Sequence, residues 1–294
     1  MKQGLSGSAP AVLAGKEHDM QVFETIGAFR AALTAYPTLG FVPTMGFLHE
    51  GHLGLVRRAK AENGAVAVSI FVNPTQFGPN EDYASYPRDP DRDLALLKEA
   101  GADLVFLPTP DVLYPPGAVT RIEVGGVANE LEGQSRPGHF SGVATVVTKL
   151  FNIVQPQRAY FGQKDAQQCA VVRRFVADLD IPVEIVVCDI AREADGLARS
   201  SRNVRLTAEN RQKAPALFQA LQETAGLFRN GERDVDILEN AMRAVLTEAG
   251  LLDIDYATVV NADTFRREQP CSDNALALLA VQAGEVRLID NMPL

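Results

Sequence analysis

Between residues 22 and 188, short apolar runs alternate with amphipathic stretches. Five runs have the length of strands: 39–44, 65–72, 103–107, 158–161 and 183–188. The longest, AVAVSIFV at 65–72, suits a buried strand and falls well short of a membrane-spanning helix. Helical periodicity fills the gaps at 23–35, 52–62, 90–100, 143–154 and 166–178. In the second of these, Leu53, Val56 and Ala59 share one stripe. The third opens on Pro90, where a missing N–H costs nothing. Such alternation predicts a parallel sheet with helices on both faces, a Rossmann-like α/β fold. Sites in such sheets form at the carboxyl ends of the strands, at the topological switch point.

Past residue 191 the pattern changes. Arg199, Arg202, Arg205, Arg211 and Lys213 face only Glu209 between residues 196 and 213. Two helical stretches (208–228 and 235–249) precede three strand-like runs (254–260, 275–282 and 285–289). This order predicts a smaller α+β C-terminal domain. The expected division is therefore a loose Gly/Ser/Ala-rich extension at 1–19, a parallel-sheet domain at 20–190, and an α+β domain at 191–294 closing over the site.

With 294 residues, 46% of them hydrophobic and 22% charged, the chain can bury a large core without disulfides or a structural metal. The balance of 28 basic to 37 acidic residues, −9 overall, lacks the surplus of a non-specific nucleic-acid binder. Any phosphate must therefore be met in a locally positive pocket. Cys169, Cys188 and Cys271 form no C-x-x-C pair and read as buried thiols of a cytoplasmic protein.

Five segments carry candidate chemistry. PTMGFLHEGH (43–52) follows a strand and opens a helix, placing Met45, Gly46, His49, Gly51 and His52 where a helix N-terminus attracts anions. FVNPTQF (71–77) sets Asn73 and Gln76, amides that both donate and accept, just past a strand end. The Pro/Gly-rich stretch to Pro90 is long for a connector and reads as a lid or, taken alone, as a structural loop. LEGQSRPGHF (131–140) offers Arg136 and His139, as anion contacts or as caps. FGQKDAQQ (161–168) repeats the strand–turn–helix context. Its Gly162 permits close approach, its Lys164 supplies a point charge, and Asp165 either accepts from a ribose or caps the helix. GLARSSRN (196–203) sets Ser200, Ser201 and Arg202 side by side, suited to a phosphate. Together these place His, Lys, Ser and Arg at successive strand ends, as a triphosphate site without a P-loop requires; neither G-x-x-x-x-G-K-[ST] nor G-x-G-x-x-G is present.

PTMGFLHEGH, FVNPTQF, YPR (86–88), RPGHFSGV, FGQKD-x-QQ and SSRN stand in the order and spacing of the pantoate–β-alanine ligase (pantothenate synthetase) family, which the chain resembles from Pro43 to Asn203. The tail resembles it more loosely, as at DYATVV (255–260). The resemblance implies that pantoate attacks Mg-ATP to give pantoyl adenylate, and that β-alanine then displaces AMP. It assigns Met45, Gly46, His49, Gly51 and His52 to ATP, with His52 as proton donor and His49 as phosphate partner. Gly162, Gln163, Lys164 and Asp165 would hold the nucleotide. Arg199, Ser200, Ser201 and Arg202 would close over the phosphates, with Ala191 near the adenine. Gln76 and Gln168 would hold pantoate, with Asn73 beside them, and Asp93 would contact Mg²⁺. Arg199 and Ala191 depart from the apolar residue and the valine common there. The family implies a cytoplasmic homodimer. Two rival readings are an adenylating enzyme for another acid and a non-catalytic nucleotide sensor; pantoate-dependent exchange of pyrophosphate into ATP separates all three.

Overall fold

The computed structural model describes residues 20–79 and 81–294; the extension expected at 1–19 lies outside the described residues. Six parallel strands form the larger sheet: β1 (Gln21–Phe23), β2 (Leu39–Thr44), β3 (Ala65–Ile70), β4 (Leu104–Phe106), β5 (Arg158–Gly162) and β6 (Glu184–Cys188). Their spatial order is β1-β4-β3-β2-β5-β6. The chain works outward from β2 on one side and from β5 on the other, so the switch point lies between these two. β1 escaped the periodicity because three residues are too few to show one; it adds to the edge with Val22 beside Val105.

Among the described residues, seven helices belong to this part: α1 (Ile26–Leu33), α2 (Glu50–Glu62), α3 (Pro90–Ala100), the one-turn α4 (Pro110–Leu113) and α5 (Glu132–Ser135), α6 (His139–Val154) and α7 (Ala166–Asp178). Successive strand residues point to opposite faces. Phe41, Ala67, Phe106 and Phe161 pack with Phe29 of α1 and with the apolar sides of α6 and α7. Val42, Val66, Val68 and Val105 pack with Leu53 and Val56 of α2 and Leu97 of α3. Helices cover both faces, which is why β3 is buried at every position. The helix ends follow local chemistry. Asp89 accepts from the Arg92 amide ahead of Pro90, and Gly101 ends α3 at φ 87.

The C-terminal part contains α8 (Ala208–Lys213), α9 (Ala216–Arg229), α10 (Val235–Glu248) and an antiparallel sheet of β7 (Ile254–Asn261), β8 (Ala275–Ala283) and β9 (Val286–Pro293). The single helix expected over 208–228 is two, broken at Ala214–Pro215, because proline cannot supply the amide that would continue α8. One face of the small sheet, including Val259, Ala277 and Leu279, packs on α9 and α10. The other, including Tyr256, Leu276 and Leu278, joins the core beneath α6 and α7. A buried polar tie reinforces that contact: the Arg287 guanidinium and the Tyr256 hydroxyl both donate to the Glu132 carboxylate.

Candidate active site

The loops leaving β2, β5 and β6 meet the turn after β3 around a cavity of about 220 Å³. From the first loop it takes Met45, His49, Gly51 and His52; from the β5 end, Gly162, Lys164, Asp165 and Gln168; from the segment after β6, Ala191, Arg199, Ser200, Ser201 and Arg202. Asn73 and Gln76 form another wall. Gly46 and Gln163 lie outside the lining. Gly46 makes the turn at φ +80, and the Gln163 side chain turns away to Asn291. A larger cleft of about 870 Å³ continues from the cavity and shares Lys164, Asp165, Gln168 and Arg202 with it.

The two histidines cap their own helix. The Gly51 amide donates to His49 Nδ1 at 3.1 Å, and the His49 amide donates to His52 Nδ1 at 3.4 Å. With both Nδ1 atoms accepting, each neutral ring carries its proton on Nε2. The rings lie 4.1 Å apart, so two Nε2–H donors stand side by side. Burial, followed by the His52 ring, Lys164 and Arg199, pushes His49 down to about 3. Burial and then Lys164 push His52 down to about 4. Both imidazoles are therefore uncharged at neutral pH, and Lys164, Arg199 and Arg202 carry the positive charge. Lys164 keeps Asp165 at 3.8 Å and Arg199 keeps Glu193 at 3.1 Å.

The resemblance links Asp93 to Mg²⁺, and the structure shows its carboxylate engaged by the protein itself. It is almost fully buried and outside the cavity lining, and its two oxygens accept from the Phe47 and Leu48 amides at 2.7 Å each. These two amides are therefore occupied by an internal carboxylate. A buried carboxylate committed to two amides in this way does not fit a Mg²⁺ ligand.

Gln76 sits on a 3₁₀ turn (Pro74–Gln76) held by Asn73, whose amide donates to Gln76 Oε1 at 3.0 Å and to the Gly142 carbonyl at 3.1 Å. Asn73 Oδ1 accepts from Thr75 and Tyr114, so all of its polar atoms are committed to shaping the turn. Gly142 lets α6 approach that closely, since a Cβ there would stand 2.5 Å from Gln76 Cα.

The lid stretch is folded onto the site. Arg202 forks onto Asp82, with Nε and Nη2 each 3.0 Å from a carboxylate oxygen, and Arg205 joins at 2.8 Å. Glu81 takes both arms of Arg136 in the same manner. Arg136 also faces His139 Nε2 at 3.1 Å, while His139 Nδ1 lies 2.9 Å from the Gln76 carbonyl. A donating guanidinium makes Nε2 the acceptor, so Nδ1–H donates to that carbonyl. Arg136 and His139, left between two roles by the sequence, thus connect the lid to the Gln76 turn. Sequence reasoning missed Glu81, Asp82 and Tyr86, whose ring the Arg202 guanidinium covers at 5.6 Å. The YPR string was the available signal: Arg88 donates to the Tyr86 and Tyr83 carbonyls and fixes the lid's turn.

The family model described as pantoate–β-alanine ligase matches residues 21–293. A pantothenate synthetase of Chloroflexus aurantiacus is 57% identical over 273 residues, 92% of this chain and 97% of that one. The crystal structure of pantothenate synthetase from Thermus thermophilus superimposes with a TM-score of 0.90 at 49% identity, covering 93% of this chain and 99% of that one. The ligase from Francisella tularensis, solved in complex with β,γ-ATP and β-alanine, gives 0.75 at 37% identity, covering 94% and 98%. A match over nearly the full described chain, on a sheet whose switch point carries the histidine and lysine loops, places this protein in the pantoate–β-alanine ligase family.

Proposed function

We propose that this chain condenses pantoate with β-alanine using ATP, through pantoyl adenylate, with release of pyrophosphate and then AMP. The observation that carries the reading is one cavity lined together by two Nε2–H imidazoles, Lys164 and the amides of Gln76 and Gln168. A carboxylate is a poor electrophile, and adenylation gives it a good leaving group. Pantoate, held by Gln76 and Gln168, attacks the α-phosphorus; the bond to pyrophosphate breaks as the acyl–phosphate bond forms. Negative charge grows on the phosphate oxygens, where His49, His52 and Lys164 receive it, joined by Arg199 and Arg202 as they exchange their carboxylate partners for phosphate. With its pKa pushed down to about 4, His52 serves the free enzyme as a hydrogen-bond donor; bound phosphate charge is what would let it carry a proton. The β-alanine amine then attacks the acyl carbon and AMP departs.

Gly162, Lys164 and Asp165 are assigned to the nucleotide, with Ser200 and Ser201 closing over the phosphates and Ala191 near the base. Mg²⁺ is assigned to the ATP phosphates and water as a companion of the substrate. Residues 20–190 form the nucleotide- and pantoate-binding unit, and 191–294 the smaller unit closing over it. The lid at 78–90 and the 196–203 loop, already joined through Asp82 and Arg202, exclude water from the adenylate. Three free, buried cysteines suit the cytoplasm. Among the described residues no helix is long and apolar enough to cross a membrane. A homodimer completes the reading, checked by sedimentation. The deciding test of the reaction is exchange of labelled pyrophosphate into ATP, which should require pantoate and proceed without β-alanine. Exchange with another acid in its place, or none at all, would refute the assignment.

A further inference from the structure

Lys164 and the 191–203 segment approach the cavity from different elements. Among the described residues no hydrogen bond or ion pair joins 162–165 directly to 191–203. Both instead reach one point on β9. Asn291 donates through Nδ2 to the Gln163 carbonyl at 2.9 Å and the Lys164 carbonyl at 3.0 Å, and accepts from Gln163 Nε2 at 3.0 Å. Its neighbour Asp290 takes both arms of Arg192, at 2.6 and 2.9 Å. Arg192 in turn donates to the Gly196 carbonyl and covers the Phe218 ring at 4.1 Å, while its own carbonyl accepts from Arg199 Nε at 3.4 Å. The Asn291 backbone N–H donates to Asp290 Oδ1 at 2.8 Å, tying the Asp290 side chain to the main chain of its neighbour.

Asp290 and Asn291 are each 2% exposed. Two adjacent buried polar residues in an apolar strand are costly unless fully bonded, and these spend their bonds on the two segments that line the cavity. We infer that Asp290 and Asn291 are positioning residues for the nucleotide half of the reaction: a bracket that sets Lys164 at a fixed distance from the Arg199–Arg202 segment. The inference rests on the ATP-dependent ligation proposed above. It puts a requirement for ATP binding on the small C-terminal sheet, which among the described residues makes no hydrogen bond to the Gln76 turn.

The test compares Asn291→Ala and the near-isosteric Asp290→Asn with the parent protein. ATP affinity is read by calorimetry, and KM for ATP and for pantoate by pyrophosphate exchange. Each variant should weaken ATP binding and raise its KM at least tenfold while leaving KM for pantoate within twofold. A general loss of structure would move both constants together. ATP constants within twofold of the parent, or equal shifts for both substrates, would overturn the bracket. If Asn291→Ala fails to fold, Asp290→Asn decides alone. Absence of exchange in the parent protein would count against the ligation itself, and calorimetry with ATP would still decide the bracket.

Discussion

Arg202 and Asp82 form a two-armed ion pair across 120 residues of sequence, and the cation that would grip a phosphate is thereby already gripping a carboxylate. Arg205 shares the same acid. ATP must displace Asp82 or recruit the guanidinium's remaining N–H. Asp82→Asn keeps the shape and removes the competing charge, so ATP should bind several-fold more tightly, as calorimetry at fixed ionic strength would show. Unchanged or weaker binding would mean that Asp82 aims Arg202 without competing for it.

Lys164→Ala and His52→Ala should each slow adenylate formation at least a hundredfold, measured by single-turnover pyrophosphate release, with circular dichroism unchanged. Near-normal turnover in either variant would remove that residue from its role.

Asp93→Ala separates a structural carboxylate from a metal ligand. It leaves the Phe47 and Leu48 amides unsatisfied, which costs on the order of 1–3 kcal/mol and lowers the melting temperature. The Mg²⁺ concentration giving half-maximal activity should stay where it is. A rise of tenfold or more would return Asp93 to the metal.

Stability should fall with acid as the pH drops below the ordinary histidine range. His49, His52 and His139 are held near 3, 4 and 4, chiefly by burial, against about 6.5 in the unfolded chain. The unfolded state therefore binds more protons between these values. The histidine contribution is complete above pH 6.5 and is lost as pH falls towards 4, by about 1 kcal/mol for each ring at pH 5.5. Denaturant titrations at pH 7.5 and 5.5 measure the difference, and His139→Gln should shrink it.

Gly142→Ala brings a methyl within 2.4 Å of the Thr75 carbonyl and 2.5 Å of Gln76 Cα, both backbone. Overpacking of this kind costs about 1–3 kcal/mol. Because the turn that yields carries Gln76, KM for pantoate should rise more than KM for ATP. Equal KM values in parent and variant would show that the turn moves without disturbing the amide.

The parallel sheet was legible because strands covered on both faces are written in apolar letters alone, as at Ala65–Ile70. Pro90 announced the start of α3. The start of α2 was harder to read, since its cap is the imidazole of His49 in place of the usual hydroxyl or carboxylate. α6 begins at His139, four residues ahead of its apolar stripe. The loops that meet at the cavity were visible as motifs because their residues lie close together in sequence. The contacts that organise them were not: Asp82 with Arg202, or Asn291 with Gln163, joins distant segments and leaves no local period. The DN of β9 even reads as a turn, so the expected strand stopped at residue 289 while the real one runs to Pro293.

Asn291 lies 127 residues beyond Lys164, which has a consequence for biosynthesis. A ribosome releases the strands of the large sheet first, and chains tend to fold in that order. An emerging polypeptide can thus present the Gln76 turn and both imidazoles while the lysine loop still lacks its anchor. On the proposed bracket, competence for nucleotide arrives late, when β9 pairs with β8.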